Sequence, residues 1–130
     1  MVCRSYPIGV GGNSGPMGIE TTWEEVAVRS RKSVEELVRI EKTTTTKRDR
    51  RVAEFGWREI QRACVLNGPT DIALTFADYI DASNTDARRF EQLTTPTIRF
   101  VEELERVTGT PVSLISTRFD FRNVIDRRTW

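Results

Sequence analysis

The chain has 130 residues, enough for one domain burying roughly two-thirds of its unfolded surface. Lys plus Arg number 20 against 19 for Asp plus Glu, a net charge of +1, which lacks the basic bias that a dedicated nucleic-acid binder uses to neutralise phosphates. Histidine is absent, so imidazole base catalysis is excluded from this chain and a zinc site is disfavoured.

The opening MVCRSYPIGVGG has no apolar core of a secretory leader, and no stretch approaches the ~18 apolar residues of a membrane helix. Cys3 and Cys64 form no CxxC pair, so two reduced thiols in a cytoplasmic protein are expected rather than a disulfide. Only 38% of residues are apolar, which leaves a thin core and suggests apolar surface meant for another domain or subunit.

Val2 to Val10 alternates loosely and is expected as a strand running into the glycine-rich stretch 9–16. Two short helices should follow, each opened by a capping box: Thr22 with Glu25, and Ser33 with Glu36. Residues 43–51, TTTTKRDRR, lack apolar periodicity and read as an exposed loop. In the next helix Trp57, Ile60, Cys64 and Val65 fall at helical spacing, and Asn67-Gly68-Pro69 stops it.

DIALTFAD, residues 71–78, reads as a buried strand with Asp78 at its C-terminal end, where α/β sheets place ligand contacts. Residues 82–93 are polar with no assigned structure. Thr95 as N-cap and Pro96 open a helix whose face is Ile98, Val101, Leu104 and Val107, ended by Gly109 and Pro111. Val112 to Thr117 is a second buried strand, and the tail from Arg118 to Trp130 is an edge strand or a docking arm. The pattern is α/β: a single partial domain of short buried strands with flanking helices, spanning residues 1–130.

Each candidate motif has a plain alternative. The glycine stretch fails the Walker A template, because no glycine precedes a lysine. It fails the dinucleotide fingerprint because Ser14 replaces the third glycine. It is a turn, or a backbone lining for a ligand other than phosphate. The run Lys47-Arg48-Asp49-Arg50-Arg51 is a solvated loop, or an anion site in which Arg48 and Arg50 share one side of an extended segment. Asp78 is a turn residue, or a guanine reader whose two oxygens accept from the N1–H and N2–H edge that adenine lacks.

These features occur in an order that resembles the C-terminal part of the adenylosuccinate synthetase family. The matching segments are RSYPIGVGGNSGP (4–16), TTKRDRRVAEF (45–55), ACVLNGPTDIALTFADYID (63–81) and FVEELERVTGTPVSLISTRFD (100–120), most similar to the shorter archaeal members. The resemblance implies a portion of a ligase of purine biosynthesis that uses GTP to join IMP and L-aspartate. It implies that Thr45 and Thr46 contact aspartate and that Arg48 and Arg50 hold its carboxylates, with Arg50 also near IMP. By the same resemblance Val10 and Gly11 line the IMP ribose, Asp78 reads the guanine of GTP, and Ser116 packs beside that base.

No catalytic residue is assigned to this chain. The family's phosphate loop, catalytic histidine and Mg²⁺ site belong to its N-terminal half, and this chain has neither a histidine nor a Gly-Lys pair. GTP and Mg²⁺ are therefore implied only by resemblance, and the expected partners are purine nucleotide, aspartate and the N-terminal half or a second copy of the chain. The alternative is a non-catalytic purine-nucleotide-binding or regulatory module derived from the enzyme. Four departures stand out: Gly9 for the usual Arg, Lys47 for Gly, Phe76 for the Lys of many bacterial members, and Arg118-Phe119 for Gly-Pro.

Overall fold

A computed structural model describes residues 1–12 and 14–128; Asn13 and the last two residues of the tail lie outside the described residues. Among the described residues seven strands and four α-helices form a mixed α/β arrangement around two sheets. The first sheet contains β1 (Val2–Arg4), β5 (Ile72–Thr75), β6 (Val112–Ser116) and β7 (Val124–Asp126), in the order β1-β5-β6-β7. The pairs β1/β5 and β5/β6 are parallel, and β7 closes antiparallel on β6. The second sheet is antiparallel, order β2-β4-β3, built from β2 (Ile8–Val10), β3 (Glu20–Thr21) and β4 (Arg50–Ala53).

The expected single strand from Val2 to Val10 is thus two strands in two sheets. Pro7 sits at the break; it has no N–H to give a ladder and marks where the chain leaves one sheet for the other. The expected loop over 43–51 is shorter than its composition suggested, because Arg50 and Arg51 already belong to β4, the central strand of the second sheet.

Helix α1 (Trp23–Ser30) starts on Thr22, whose hydroxyl accepts from the Glu25 N–H at 3.2 Å. Helix α2 (Val34–Ile40) starts on Ser33, which accepts from the Glu36 N–H at 3.3 Å. The Glu25 carboxylate also accepts from the Thr21 hydroxyl. Helix α3 (Trp57–Asn67) ends on Gly68 at φ 53°, as expected. Val65, however, is 80% exposed, one residue off the Cys64 face that packs inward.

Helix α4 (Thr95–Thr108) links β5 to β6 and ends on Gly109 at φ 65°. Its N-cap is Thr94, one residue before the expected Thr95. The polar stretch 82–93 makes two 3₁₀ turns, Ala82–Asp86 and Phe90–Gln92. They are anchored by buried Asn84, which donates to the Ala77 carbonyl and Thr97 hydroxyl and accepts from the Thr94 N–H.

Two apolar clusters follow the two sheets. Ile72, Leu74, Val101, Leu104 and Ile115 fill the first, between α4 and the parallel strands. Trp23, Val26, Leu37, Val52 and Tyr79 fill the second.

Between them lies Glu41, whose side chain is 1% exposed. It accepts from Arg4 of β1 at 2.8 Å, from Arg50 of β4 at 3.1 Å and from the Tyr79 hydroxyl at 2.6 Å. Burial by itself raises the Glu41 pKa, but the Tyr79 hydroxyl, Arg4 and Arg50 outweigh it and hold the group below its ordinary 4.5. The stabilisation it gives is therefore full above that value and is lost as pH falls through the lower folded value.

Glu41→Gln should cost about 3 kcal/mol at pH 7, because two guanidiniums lose their buried anion. Urea melts at pH 7 and pH 4 check this: the variant's deficit should shrink at the lower pH. An equal deficit at both would mean that charge is not what Glu41 contributes.

Candidate functional site

The glycine stretch and the arginine run meet across a strand pair. Val10 of β2 stands opposite Arg50 of β4, and the Gly11 N–H donates to the Asp49 carbonyl at 3.2 Å. A Cβ on Gly11 would come within 3.0 Å of that carbonyl, so glycine permits the close approach. Arg50 is doubly fixed: its guanidinium lies on Glu41, and its carbonyl accepts from the Trp23 indole N–H at 2.8 Å. Arg51 clamps the glycine stretch from the other side, donating to the Ser14 hydroxyl, the Gly15 carbonyl and Glu20.

Residues 43–49 form a compact turn on this sheet. The Thr43 hydroxyl accepts from the Arg48 N–H at 2.9 Å and lies 2.7 Å from the Thr46 hydroxyl, and Lys42 pairs with Asp49 at 2.8 Å. Thr45, Thr46 and Arg48 are exposed at its tip, whereas Arg50 is half-buried at its base. Arg48 and Arg50 therefore do not share one side of an extended loop: Arg48 belongs to the turn and Arg50 to the strand. Lys47 stands at φ 54°, a left-handed conformation that costs a side-chain-bearing residue about 1–2 kcal/mol.

Asp78 and Ser116 sit at neighbouring strand ends but face different surroundings. Ser116, the last residue of β6, lines a cavity of about 570 Å³ with Thr75, Phe76, Arg118 and Phe119. Asp78 lies in the 3₁₀ turn Ala77–Tyr79 and is buried, pairing with Lys32 at 2.7 Å; its side chain does not line that cavity. Its other oxygen is buried with no hydrogen-bond partner among the described residues. Burial raises the Asp78 pKa above its ordinary value, with Lys32 opposing.

Sequence reasoning singled out neither Lys32 nor Glu41, and named Arg51 only as part of the charged run 47–51; the three hold these elements together. Lys32 follows the left-handed Arg31 that ends α1, and Glu41 caps the last turn of α2; neither position differs in pattern from a surface charge. Arg51 alternates with Arg50 on a strand, the one signal that could have marked it.

The resemblance also implies Mg²⁺, and the residues do not fit it. Among the described residues no group of three or more His, Cys, Asp or Glu could hold a metal ion, so no step is derived through one. No described helix is long and apolar enough to cross a membrane.

No family model matches the chain. Curated relatives do. Over 128 residues the chain is 35% identical to the adenylosuccinate synthetase of Methanocaldococcus jannaschii and 34% identical to that of Thermococcus onnurineus, covering 98% of this chain. It spans only about a third of those proteins, 34% and 35% of their lengths.

Among solved structures, the fold matches fully ligated adenylosuccinate synthetase from Plasmodium falciparum over 96% of this chain and 38% of that one, with TM-score 0.76 at 16% identity. It also matches succinoaminodeoxyadenylate synthetase of cyanophage S-2L, bound to dGMP and to dATP as energy donor, over 98% of this chain and 33% of that one. There the TM-score is 0.62 at 22% identity.

Lys47→Gly should stabilise the protein by about 1 kcal/mol by relieving the left-handed strain, while Lys47→Ala should not. Thermal melts of both variants check this; an equal effect of Ala and Gly would place the cost elsewhere.

Proposed function

Because the chain belongs to the adenylosuccinate synthetase family and corresponds to its C-terminal part, we propose that it is the substrate-binding portion of such a ligase. The reaction would join IMP and L-aspartate at the expense of GTP, in the cytoplasm, and this chain is incomplete for it without the half that carries the phosphate loop. The observation that carries the reading is the juxtaposition of Val10 and Gly11 with Arg50. An arginine preset on a buried carboxylate, beside open backbone and an exposed Thr-Arg turn, suits a small dicarboxylate next to a nucleotide.

In this reading Thr45, Thr46 and Arg48 close over aspartate, Arg50 spans aspartate and IMP, and Val10 and Gly11 line the ribose. Ser116 packs beside the guanine; Asp78 is buried on Lys32, so its reading of the base edge requires that pair to open. Two bound reactants held in register account for much of a ligase's rate, but phosphoryl transfer also needs charge neutralised at the phosphates. No group for that task is assigned here, and Mg²⁺ belongs with the missing half.

The surface supports an incomplete unit. Strand β1 is an edge of the first sheet, its Val2 is 72% exposed, and parallel strands are normally flanked and covered. Beside it a groove of about 860 Å³ is lined by Met17, Ile19, Phe55, Trp57 and Ile60. The occupant proposed for this edge is the phosphate-loop half, since the relatives contain about twice as much further chain as they share with this one. A second copy of the chain is the competing occupant.

One set of observations favours the second reading, a non-catalytic purine-nucleotide-binding module. Lys47 strains the loop that should close, and Lys32 occupies one oxygen of the base reader.

The two readings separate on mixing. Combined with the N-terminal two-thirds of the Methanocaldococcus jannaschii synthetase, the chain should form adenylosuccinate from IMP, aspartate and GTP, while neither piece does so alone. Arg48→Ala should lower the rate at limiting aspartate at least about tenfold, with stability unchanged because the residue is exposed. No gain over the N-terminal piece alone would end the ligase reading.

A further inference from the structure

Strand β2 is an edge of the second sheet, whose order is β2-β4-β3. Its last residue, Val10, stands opposite Arg50, and the following N–H, that of Gly11, donates to the Asp49 carbonyl. Antiparallel pairs alternate between bonded and unbonded, so the Val10 N–H and carbonyl turn away from β4 toward the open edge. Only a group outside the sheet ladder can fix them.

The Ser14 hydroxyl does so by donating to the Val10 carbonyl. The same hydroxyl accepts from Arg51 Nη1 at 2.9 Å, and that nitrogen also donates to the Gly15 carbonyl at 3.0 Å. The other edge of the guanidinium lies on Glu20, with Nε 3.1 Å from one carboxylate oxygen and Nη2 on the other. A planar fork can hold an acid on one edge and a loop on the other at fixed angles. Arg51 is only 23% exposed, so these bonds are largely shielded from water.

The loop that carries Ser14 is itself seated on the sheet. Gly9 pairs with Arg51, so the two positions share one face. A Cβ on Gly9 would overlap the Met17 sulfur, so the bare backbone there lets Met17 cover the strand beside the guanidinium. The loop is held at two points, and Arg51 reaches Val10 through Ser14.

We infer that Arg51 is a positioning residue for the nucleotide ribose, acting through the Ser14 hydroxyl on the Val10 carbonyl. The inference rests on the proposed reading in which Val10 and Gly11 line that ribose. A backbone carbonyl has two lone pairs; Ser14 takes one and fixes the direction of the other, which is left for a sugar hydroxyl. Without Arg51 the Ser14 hydroxyl rotates, and part of the binding free energy goes into ordering the carbonyl. Arg50 is set separately by Glu41, so aspartate should not feel the relay.

The test is titration of the full chain with IMP and, separately, with L-aspartate, read by amide chemical shifts. Arg51→Ala and Ser14→Ala should each weaken IMP about tenfold, on the scale of one hydrogen bond, and leave aspartate within about twofold. The double variant should be no weaker than Arg51→Ala, because both changes cut one path. Ser14→Thr keeps the hydroxyl and should bind IMP as the parent does. A general loosening of the sheet would instead weaken both ligands, and threonine would not rescue it.

IMP affinities within about twofold of the parent in either single variant would overturn the relay while leaving the ribose reading in place. Additive losses in the double variant, or an equal loss of aspartate, would do the same. No binding of IMP by the parent chain would overturn the ribose reading, and the role of Arg51 with it.

Discussion

The carboxylate of Glu41 ties together parts of the chain that sequence keeps far apart. It is buried at the end of α2 and receives Arg4 from the first sheet, Arg50 from the second and the Tyr79 hydroxyl from the turn after β5. An ion in that position repays its desolvation only when every lone pair is used, so the geometry of the donors is restricted. Arg50 is thereby preset beside Val10 and Gly11, while Arg4 extends past the same acid to cover Phe76. The candidate substrate loop and the candidate base pocket are thus braced against one anion, and displacement of either arginine is felt on both sides.

Two further constraints are local and backbone-based. Lys47 and Phe76 both occupy the left-handed region, at φ 54° and 61°. At Lys47 the angle has a plain conformational cost, because a glycine tolerates it and a lysine does not. At Phe76 the strain has a use: it aims a ring whose one face is taken by Arg4 and whose neighbour is Phe119.

Local chemistry was legible in the sequence where the backbone itself demanded a residue type. Thr22 and Ser33 cap their helices, Gly68 and Gly109 end theirs in the left-handed region, and the two apolar runs are parallel neighbours in one sheet. What escaped was long-range. Val2 to Val10 reads as one alternating run, yet Pro7 sends its halves to different sheets. Arg50 and Arg51 look like loop charges because each is neutralised by an acid distant in sequence, Glu41 or Glu20. Lys32 could not be tied to Asp78, since their 2.7 Å contact joins residues 46 positions apart. Charge pairing of that kind leaves no periodicity to find.

A chain that aligns with about a third of a ligase has an unclosed sheet edge and an apolar groove beside it. Those features agree with the proposed division of labour, in which this part orients reactants and another part handles the phosphates. The most direct measurement is amide chemical-shift mapping of the isotopically labelled chain titrated with IMP and L-aspartate. The account predicts perturbations clustered at Val10, Gly11 and residues 45–50, with the β7 edge unmoved. Shifts confined to other surfaces, or none at saturating ligand, would contradict it.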